Sequence, residues 1–181
     1  MERIELHDKK FRLFIPNEKI EEAIDAVASK INADYMGSGS TPVFLSVLNG
    51  SFMFTASLLQ KIEFGCEVSF VKLASYSGTS STDQIKELIG AGSELEGRDV
   101  IIVEDIVDSG RTIVELHEIL TRLGVSSVRI CTLFYKPKAY NKSLRIDYPA
   151  MEIGNEFIVG FGLDYDQLGR QYKDIYIIEN Q

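Results

Sequence analysis

Apolar residues recur along the chain in two patterns, with helical spacing in some segments and unbroken runs in others. Helical spacing predicts three helices. The first begins near Asn17, a good N-cap, and the other two cover residues 52–62 and 111–123. The first helix has one apolar face, made of Ile20, Ala23, Ile24, Val27 and Ile31. Gly124 follows the third helix, as is common just beyond a helix C-terminus.

Unbroken apolar runs predict buried strands that alternate with these helices. The runs occupy residues 43–48, 67–76, 100–104 and 127–135. The segment RIELHDKKFRLFI (3–15) predicts a hairpin, and residues 146–181 predict short strands and loops. Strands of this kind, separated by helices, indicate an α/β fold with a central, mostly parallel sheet flanked by helices. Ligands bind outside the carboxyl ends of the strands in such sheets.

Composition and charge narrow the classes of function. With 181 residues, 45% of them hydrophobic, the chain fits one domain with a sizeable core. The net charge of −8, without a basic block, argues against broad binding to nucleic acid or to anionic membranes. There is no apolar run of membrane-spanning length and no signal-peptide pattern, and the two distant cysteines favour a reducing compartment. We therefore expect a cytoplasmic protein.

The segment VIIVEDIVDSGRT (100–112) carries the most informative chemistry. Glu104 and Asp105 end an apolar strand, where carboxylates suit Mg²⁺ or the hydroxyls of a sugar. The following Ser-Gly-Arg-Thr (109–112) offers hydroxyls, a residue without Cβ and the N–H groups of a helix start, which favour an anion. The acid pair alone also fits a solvated strand end or a Walker B strand, but the chain has no Gly-Lys dipeptide for a P-loop. The whole segment indicates a phosphate-binding turn beside an acidic metal or diol site.

This segment resembles the ribose-5-phosphate and diphosphate motif of the type I phosphoribosyltransferases, and most closely that of the hypoxanthine-guanine phosphoribosyltransferases. Four other segments resemble that branch in the same order, namely VLNGSFMF, ASYSGTSST, FYKPK and EFIVGFGLDYDQLGR. The resemblance implies the type I phosphoribosyltransferase fold in a single domain, residues 1–181. Its core would cover about 17–145, with a small hood from 1–16 and 146–181.

The resemblance also implies an activity. The protein would be a purine-salvage transferase that uses Mg²⁺ and joins hypoxanthine and/or guanine to 5-phosphoribosyl 1-diphosphate. Its products would be IMP or GMP and diphosphate. We further expect a homodimer or homotetramer that binds neither nucleic acid nor membrane.

Matching positions imply roles for individual residues. The catalytic proton-transfer group would be Asp108. The donor's 5-phosphate would be bound by Asp108, Ser109, Gly110, Arg111 and Thr112, and its diphosphate by Asn49, Gly50, Ser75, Tyr76 and Arg170. Ribose or metal would be bound by Glu104 and Asp105, and a second metal ion by Asp164. The purine would be bound by Lys136, Phe157, Ile158 and Asp164.

Asn49 departs from the family, in which a basic residue is common at this place. A cis peptide bond, often found there in the family, could persist between Leu48 and Asn49, whereas the side-chain cation could not. The sequence leaves open the preference among hypoxanthine, guanine and xanthine, and the choice between dimer and tetramer.

Two other classes of protein fit parts of the pattern. The first is a non-catalytic relative that keeps the fold and regulates by binding nucleic acid or a nucleotide, and such a protein should show a basic face. The charge of −8 and the presence of Asp108 argue against this class. A flavodoxin-like phospho-acceptor domain also gathers acids and a lysine at strand ends. It needs neither the DSGRT turn nor the long Ser/Gly-rich segment 77–97.

Overall fold

The structure is a computed structural model that describes residues 2–73 and 92–179. Within these ranges the chain forms nine strands, three α-helices and one short 3₁₀ helix, and the strands fall into two sheets. The predicted site residues Ser75 and Tyr76, with most of segment 77–97, lie outside the described residues.

A five-stranded sheet forms the centre of the molecule. Its strands are β3 (Val43–Val47), β4 (Glu67–Val71), β5 (Asp99–Val107), β6 (Ser127–Tyr135) and β7 (Tyr148–Glu152). They lie in the order β4-β3-β5-β6-β7, and each neighbouring pair is parallel. The predicted α/β fold with a parallel central sheet is confirmed.

Helices cover both faces of this sheet. They are α1 (Asn17–Tyr35), α2 (Phe52–Leu59) and α3 (Arg111–Arg122). Helices α1 and α2 pack on one face, where Ile24, Phe54 and Ile101 belong to one buried cluster. Helix α3 packs on the other face, where Leu116 lies in a cluster with Ile102. Because successive residues of a strand point to opposite faces, the unbroken apolar run of β5 is buried on both sides. None of the helices in the described ranges has the length and apolar character needed to cross a membrane.

A second sheet, which is antiparallel, joins the two ends of the chain. Its strands are β1 (Arg3–Leu6), β2 (Lys9–Ile15), β8 (Ile158–Val159) and β9 (Ile175–Ile178), in the order β1-β2-β9-β8. The predicted hairpin is confirmed by the pairing of β1 with β2. Phe11 and Tyr176 are buried in a small apolar cluster of this sheet.

The division of the chain into core and hood stays a prediction, but β7 bears on its boundary. Residues 146–181 were expected to belong to the hood, whereas Tyr148–Glu152 pairs with β6 in the central sheet. The strand is short and lies at the sheet edge, where several of its side chains are only half-buried. Its sequence therefore lacks the unbroken apolar run of a central strand.

The predicted end of β5 is wrong by three residues. The strand continues beyond residue 104 to Val107, so Glu104 is not its last residue and Asp105 also lies inside it. Pairing with β6 extends to Val107 opposite Tyr135, and these hydrogen bonds hold the polar residues in extended conformation. Two other elements end earlier than predicted, α2 at Leu59 and β4 at Val71.

The start of α1 also differs from the prediction. Asn17 is the first helical residue, and the N-cap is Pro16, whose side chain cannot accept a hydrogen bond. The carboxylate of Asp174, which precedes β9, accepts the Asn17 N–H at 2.7 Å. The Asn17 side chain donates to the Lys173 carbonyl at 3.1 Å. A carboxylate from the C-terminal part of the chain therefore stabilises the N-terminus of α1.

We expect Asp174→Ala to lower the free energy of unfolding by about 1–2 kcal/mol, because the N–H of Asn17 loses its acceptor at a half-buried helix start. Urea denaturation followed by circular dichroism measures this loss. Asp174→Asn keeps an acceptor oxygen and should retain most of the stability. Lys173→Ala changes an exposed neighbouring side chain and serves as the control. Equal stability of Asp174→Ala and wild type would contradict the capping role.

Candidate active site

The carboxyl ends of β3, β5 and β6 meet at one edge of the central sheet. The turns that follow them begin at residues 48, 108 and 136 and lie side by side, because neighbouring strands are parallel. Two cavities open at this edge, and both are lined by Ile106 and Asp108. This edge is therefore the candidate active site.

The smaller cavity lies at the turn from β5 to α3. Its volume is about 90 Å³, and it is lined by Glu104 and by residues 106–113. Gly110 is the N-cap of α3 and has φ 79°, a conformation that other residues rarely adopt. A Cβ there would also lie 2.4 Å from the Tyr140 ring. Glycine thus allows the chain to turn sharply, so that the first turn of α3 borders the cavity.

The larger cavity has a volume of about 270 Å³ and is lined by residues from both sheets. Its lining combines an acidic side, a lysine and apolar side chains. The lining residues are Asp105, Ile106, Asp108, Lys136, Phe157, Ile158, Leu163 and Asp164. The Phe157 side chain is 45% exposed, which is unusual for a phenylalanine, whereas Ile158 in β8 is buried.

Lys136 connects the end of β6 to Asp108. Its backbone N–H donates to the Val107 carbonyl at 2.9 Å, which extends the parallel pairing by one bond. Its side chain is buried, and Nζ donates to Asp108 Oδ2 at 3.2 Å. The side chain of Asp108 is 54% exposed and so remains accessible from the cavity. A buried ammonium group is thus held at the cavity wall with one carboxylate partner.

Glu104 and Asp105 are held partly out of water at the end of β5. Burial raises the pKa of Glu104 well above its usual range, and the charge of Asp105 adds to the shift. Burial raises the pKa of Asp105 to about 6, although the Ile106 N–H donates to Oδ1 at 2.8 Å and opposes the shift. Both shifts mean that the ionised carboxylates cost free energy in this place. A bound cation would lower that cost.

The turn after β3 lies directly against the carboxylate of Asp105. The peptide bond between Leu48 and Asn49 is cis, as expected, and the Asn49 side chain is exposed. Gly50 is buried, and a Cβ there would lie 1.5 Å from Asp105 Oδ2. Only glycine therefore lets the backbone approach the carboxylate so closely.

Hydrogen bonds between buried hydroxyl groups stabilise the same turn. Ser46 Oγ lies 2.7 Å from Ser51 Oγ and 2.8 Å from Thr55 Oγ1. Ser51 Oγ donates to the Val47 carbonyl at 2.5 Å. These bonds join β3 to the start of α2 on both sides of the turn, so its backbone is fixed from within the core.

Asp164, which also lines the larger cavity, forms an ion pair with Arg170. Arg170 donates from one terminal nitrogen to Asp164 Oδ1 at 2.8 Å and from the other to the Gly162 carbonyl at 2.8 Å. Asp164 Oδ2 accepts the Gln167 N–H at 2.8 Å. Both carboxylate oxygens of Asp164 are thus already engaged, which fixes its orientation.

The carboxylates of the site do not form a complete metal cage. Among the described residues there is no group of three or more His, Cys, Asp or Glu side chains arranged to hold a metal ion. Mg²⁺ commonly binds one or two protein carboxylates together with water and substrate phosphates. Glu104 lines the smaller cavity, whereas Asp105 and Asp164 line the larger one, and each suits a cation that a polyanionic ligand brings with it.

The structure brings together most of the residues that the sequence predicted for the site. Around the two cavities and the adjoining turn lie Asn49, Gly50, Glu104, Asp105, Asp108, Ser109, Gly110, Arg111, Thr112, Lys136, Phe157, Ile158, Asp164 and Arg170. Ser75 and Tyr76 lie outside the described residues, so their roles stay predictions. The chemical roles of the others are also predictions at this point.

Some residues of the site were missed from the sequence. Leu163 lines the larger cavity, and Ser46 with its hydroxyl partners supports the turn after β3. A signal for Ser46 was present, because a lone hydroxyl inside an apolar strand requires a buried partner. Leu163 gave no such signal, since an apolar residue beside Asp164 also fits an ordinary core position.

Comparisons with known proteins extend these observations. A family model described as the phosphoribosyl transferase domain matches residues 15–166. Hypoxanthine phosphoribosyltransferase of Escherichia coli (strain K12) is 38% identical over 156 residues, which are 86% of this chain and 88% of that protein. Hypoxanthine-guanine phosphoribosyltransferase of Streptococcus agalactiae (serotype V) is 38% identical over 156 residues, 86% of each chain. The solved structure of hypoxanthine phosphoribosyltransferase from Trypanosoma cruzi has a TM-score of 0.84 at 32% identity, and the match covers 97% of this chain and 95% of that one.

The raised pKa of Asp105 predicts a stability that depends on pH. The carboxyl group has an ordinary pKa of 3.8 and a folded pKa of about 6, so the folded state binds more protons between these values. Stability contributed by this group therefore falls as the pH rises from about 4 to 6 and stays low above that. We expect Asp105→Asn to raise the free energy of unfolding at pH 7.5 by about 1–3 kcal/mol.

Urea denaturation at pH 7.5 and at pH 4.0 measures this effect, which should nearly vanish at the lower pH. Asp166→Asn, at an exposed aspartate with positive φ, is the matched control and should change stability by less than about 0.5 kcal/mol. A destabilised Asp105→Asn variant at pH 7.5 would show that the ionised carboxylate is not held at a cost.

Proposed function

The chain belongs to the phosphoribosyltransferase family, and we propose that it is a purine-salvage transferase of the hypoxanthine-guanine type. It joins hypoxanthine and/or guanine to the 5-phosphoribosyl group of 5-phosphoribosyl 1-diphosphate and releases diphosphate. The products are IMP or GMP. Relatives that are 38% identical over most of the chain are named for this reaction.

One observation carries the proposal. Asp108 borders both cavities, so the phosphate turn and the lysine-containing cavity meet at a single carboxylate. A nucleotide has its phosphate and its base at opposite ends of a ribose. The two cavities therefore match the two ends of the product, and Asp108 lies between them.

The smaller cavity suits the 5-phosphate of the donor. Its wall contains the hydroxyls of Ser109 and Thr112 and the N-terminus of α3. Helix N-termini bind phosphate well, because their free N–H groups and the helix dipole both favour an anion. Arg111 adds a positive charge beside the same turn. The ribose then extends toward the carboxylates of Glu104 and Asp105, which are able to accept hydrogen bonds from its hydroxyls.

The larger cavity suits a purine. The exposed ring of Phe157 offers a stacking surface, and Lys136, which lines the same cavity, offers a donor to the oxygen on C6. The ammonium group has donors only, so it recognises an oxygen rather than an amino group. The backbone of Ile158 lies at the same wall and contributes to the edge of the base. These contacts favour a 6-oxopurine over adenine.

Asp108 is the proton-transfer group in this proposal. As N9 of the purine bonds to C1 of the ribosyl group, the imidazole ring loses a proton, and the departing diphosphate takes the electron pair of the broken bond. Asp108 accepts that proton, because it lies where base and ribose meet. The Asp108 carboxylate is paired with Lys136. When the oxygen of the base takes over the ammonium group, Asp108 becomes available as the acceptor.

The proposal includes Mg²⁺. When bound, the ion neutralises charge on the departing diphosphate. Glu104 or Asp105 would hold one ion and Asp164 a second, each together with donor oxygens. Arg170 and the backbone of Gly50 would contact the diphosphate. Because Asn49 stands where the family commonly has a basic residue, Arg170 would supply the positive charge.

Two further parts of the proposal concern assembly and location. The proposal extends to a homodimer or homotetramer, and for the Trypanosoma cruzi relative the C-terminal region has a role in oligomeric state and enzymatic activity. A cytoplasmic location agrees with Cys66 and Cys131, which are both free thiols. The alternative of a non-catalytic regulator is not supported, because the relatives are named as enzymes and the chain carries a net charge of −8.

Base selectivity tests the proposed function through Lys136. Diphosphate release should be measured with hypoxanthine, guanine and adenine, in wild type and in Lys136→Ala. We expect wild type to prefer the oxopurines over adenine by at least about tenfold in kcat/KM, because adenine would place donor against donor. The variant should lose far more activity toward oxopurines than toward adenine. Lys138→Ala, a nearby exposed lysine, is the matched control. If wild type used adenine as well as hypoxanthine, the proposed substrate class would be wrong.

The proton-transfer role is tested by Asp108→Asn, which keeps the shape of the side chain and removes the proton acceptor. We expect kcat to fall by about 10²–10⁴-fold while the far-ultraviolet circular dichroism stays unchanged. Single-turnover measurements separate the chemical step from product release. A decrease of less than about threefold would assign the proton transfer to another group.

A further inference from the structure

The turn of the N-terminal hairpin lies against the segment that follows Asp164. His7 and Asp8 form this turn between β1 and β2, and His7 has φ 51°. Asp8 Oδ1 accepts a hydrogen bond from the Tyr165 hydroxyl at 2.8 Å. His7 Nε2 lies 3.1 Å from the Asp166 carbonyl oxygen. Residues more than 150 positions apart in the sequence are thus joined at this point.

Tyr165 connects this turn to the exposed ring of Phe157. The two rings meet edge to face, with centroids 5.9 Å apart and planes at 85°. Phe11, which is fully buried, contacts both, at 6.1 Å from Tyr165 and 6.4 Å from Phe157. The three rings form a cluster in which Phe11 is the fixed member. Phe11 and Tyr165 are thus both aromatic neighbours of the Phe157 ring.

The ring of Phe157 needs such support. It is 45% exposed and lines the larger cavity, so core packing on all sides does not fix its plane. A stacking surface binds a flat ligand better when its plane is already fixed, because ordering a side chain on binding costs affinity. An edge-to-face neighbour restricts rotation of the ring and leaves the part that faces the cavity open. Tyr165 can do this only if its own ring is held, and the Asp8 carboxylate holds its hydroxyl.

We propose that Tyr165, held by Asp8, is a positioning residue that fixes the plane of the Phe157 ring and thereby sets the affinity for the purine base. The inference rests on the proposed function for its ligand. It adds that the hairpin at the start of the chain, which contributes no lining residue to the larger cavity among the described residues, controls the KM for the base.

A fluorescence measurement tests the positioning without any activity. The chain contains no tryptophan, so Phe157→Trp introduces a single indole at the stacking position. We expect the additional substitution Tyr165→Leu to lower the anisotropy of this indole and to increase its quenching by acrylamide. Tyr172→Leu is the matched control, because the Tyr172 ring packs in the same apolar cluster but contacts Tyr176, with centroids 5.5 Å apart. It should leave the indole unchanged.

Steady-state kinetics on the Phe157 protein test the consequence. Tyr165→Leu should raise the KM for hypoxanthine by roughly three- to tenfold, the worth of an aromatic pair. The kcat and the KM for 5-phosphoribosyl 1-diphosphate should stay within about twofold of wild type. Tyr165→Phe and Asp8→Ala should each raise the KM for hypoxanthine by a smaller and similar amount. Their double variant should add nothing further, since both remove the same hydrogen bond. Asp8→Asn keeps an acceptor oxygen and should restore a KM near that of wild type.

The outcomes separate this inference from the proposed function. Additive effects of Tyr165→Phe and Asp8→Ala, or an equal rise in KM with Tyr172→Leu, would overturn the positioning role. An indole that does not respond to Tyr165→Leu would overturn it as well. If wild type transferred no purine at all, the proposed function would fail, while the fluorescence comparison would still decide whether Tyr165 holds the ring.

Discussion

Two neighbouring carboxylates held partly out of water at the end of β5 are the constraint on which the rest of the site depends. Burial raises the pKa of both Glu104 and Asp105, so their ionised forms cost free energy. The fold supplies what keeps them there. Parallel pairing with β6 extends the strand through both residues, and the backbone at Gly50 closes over Asp105. A polyanion that arrives with a divalent cation would lower this cost, which favours binding of both at this edge of the sheet.

Four other charged side chains of the site form two ion pairs. Lys136 is bound to Asp108, and Arg170 to Asp164. The first pair joins the lysine proposed to bind the base to the carboxylate proposed for proton transfer. The second joins the arginine proposed to bind the diphosphate to a carboxylate proposed to bind metal. Binding then proceeds by exchange of partners, in which the oxygen of the base replaces Asp108 on Lys136. Such exchange favours ligands that satisfy both members of a pair, since a buried charge left alone is expensive.

The sequence predicted the parts of the site that lie within one segment. The turn from 108 to 112 could be recognised because strand, small residues and helix start follow one another directly. Contacts between distant segments could not be read in this way. The cap of α1 by Asp174 and the contact of Asp8 with Tyr165 join opposite ends of the chain, and neither leaves a local pattern. The place of β7 in the central sheet was missed for a related reason, because an edge strand lacks the unbroken apolar run of a central one.

Thermal denaturation with and without ligands tests the central claim most directly. A ligand that binds the folded state at about 100 times its Kd stabilises that state by about 2.7 kcal/mol. We predict a clear rise in Tm with 5-phosphoribosyl 1-diphosphate and Mg²⁺ together, and a much smaller rise with the donor in EDTA or with Mg²⁺ alone. In the double variant Glu104→Gln, Asp105→Asn the dependence on Mg²⁺ should be largely lost. An equal rise in Tm for wild type with the donor in EDTA and with the donor plus Mg²⁺ would contradict the claim that these carboxylates are placed to receive a cation with the substrate.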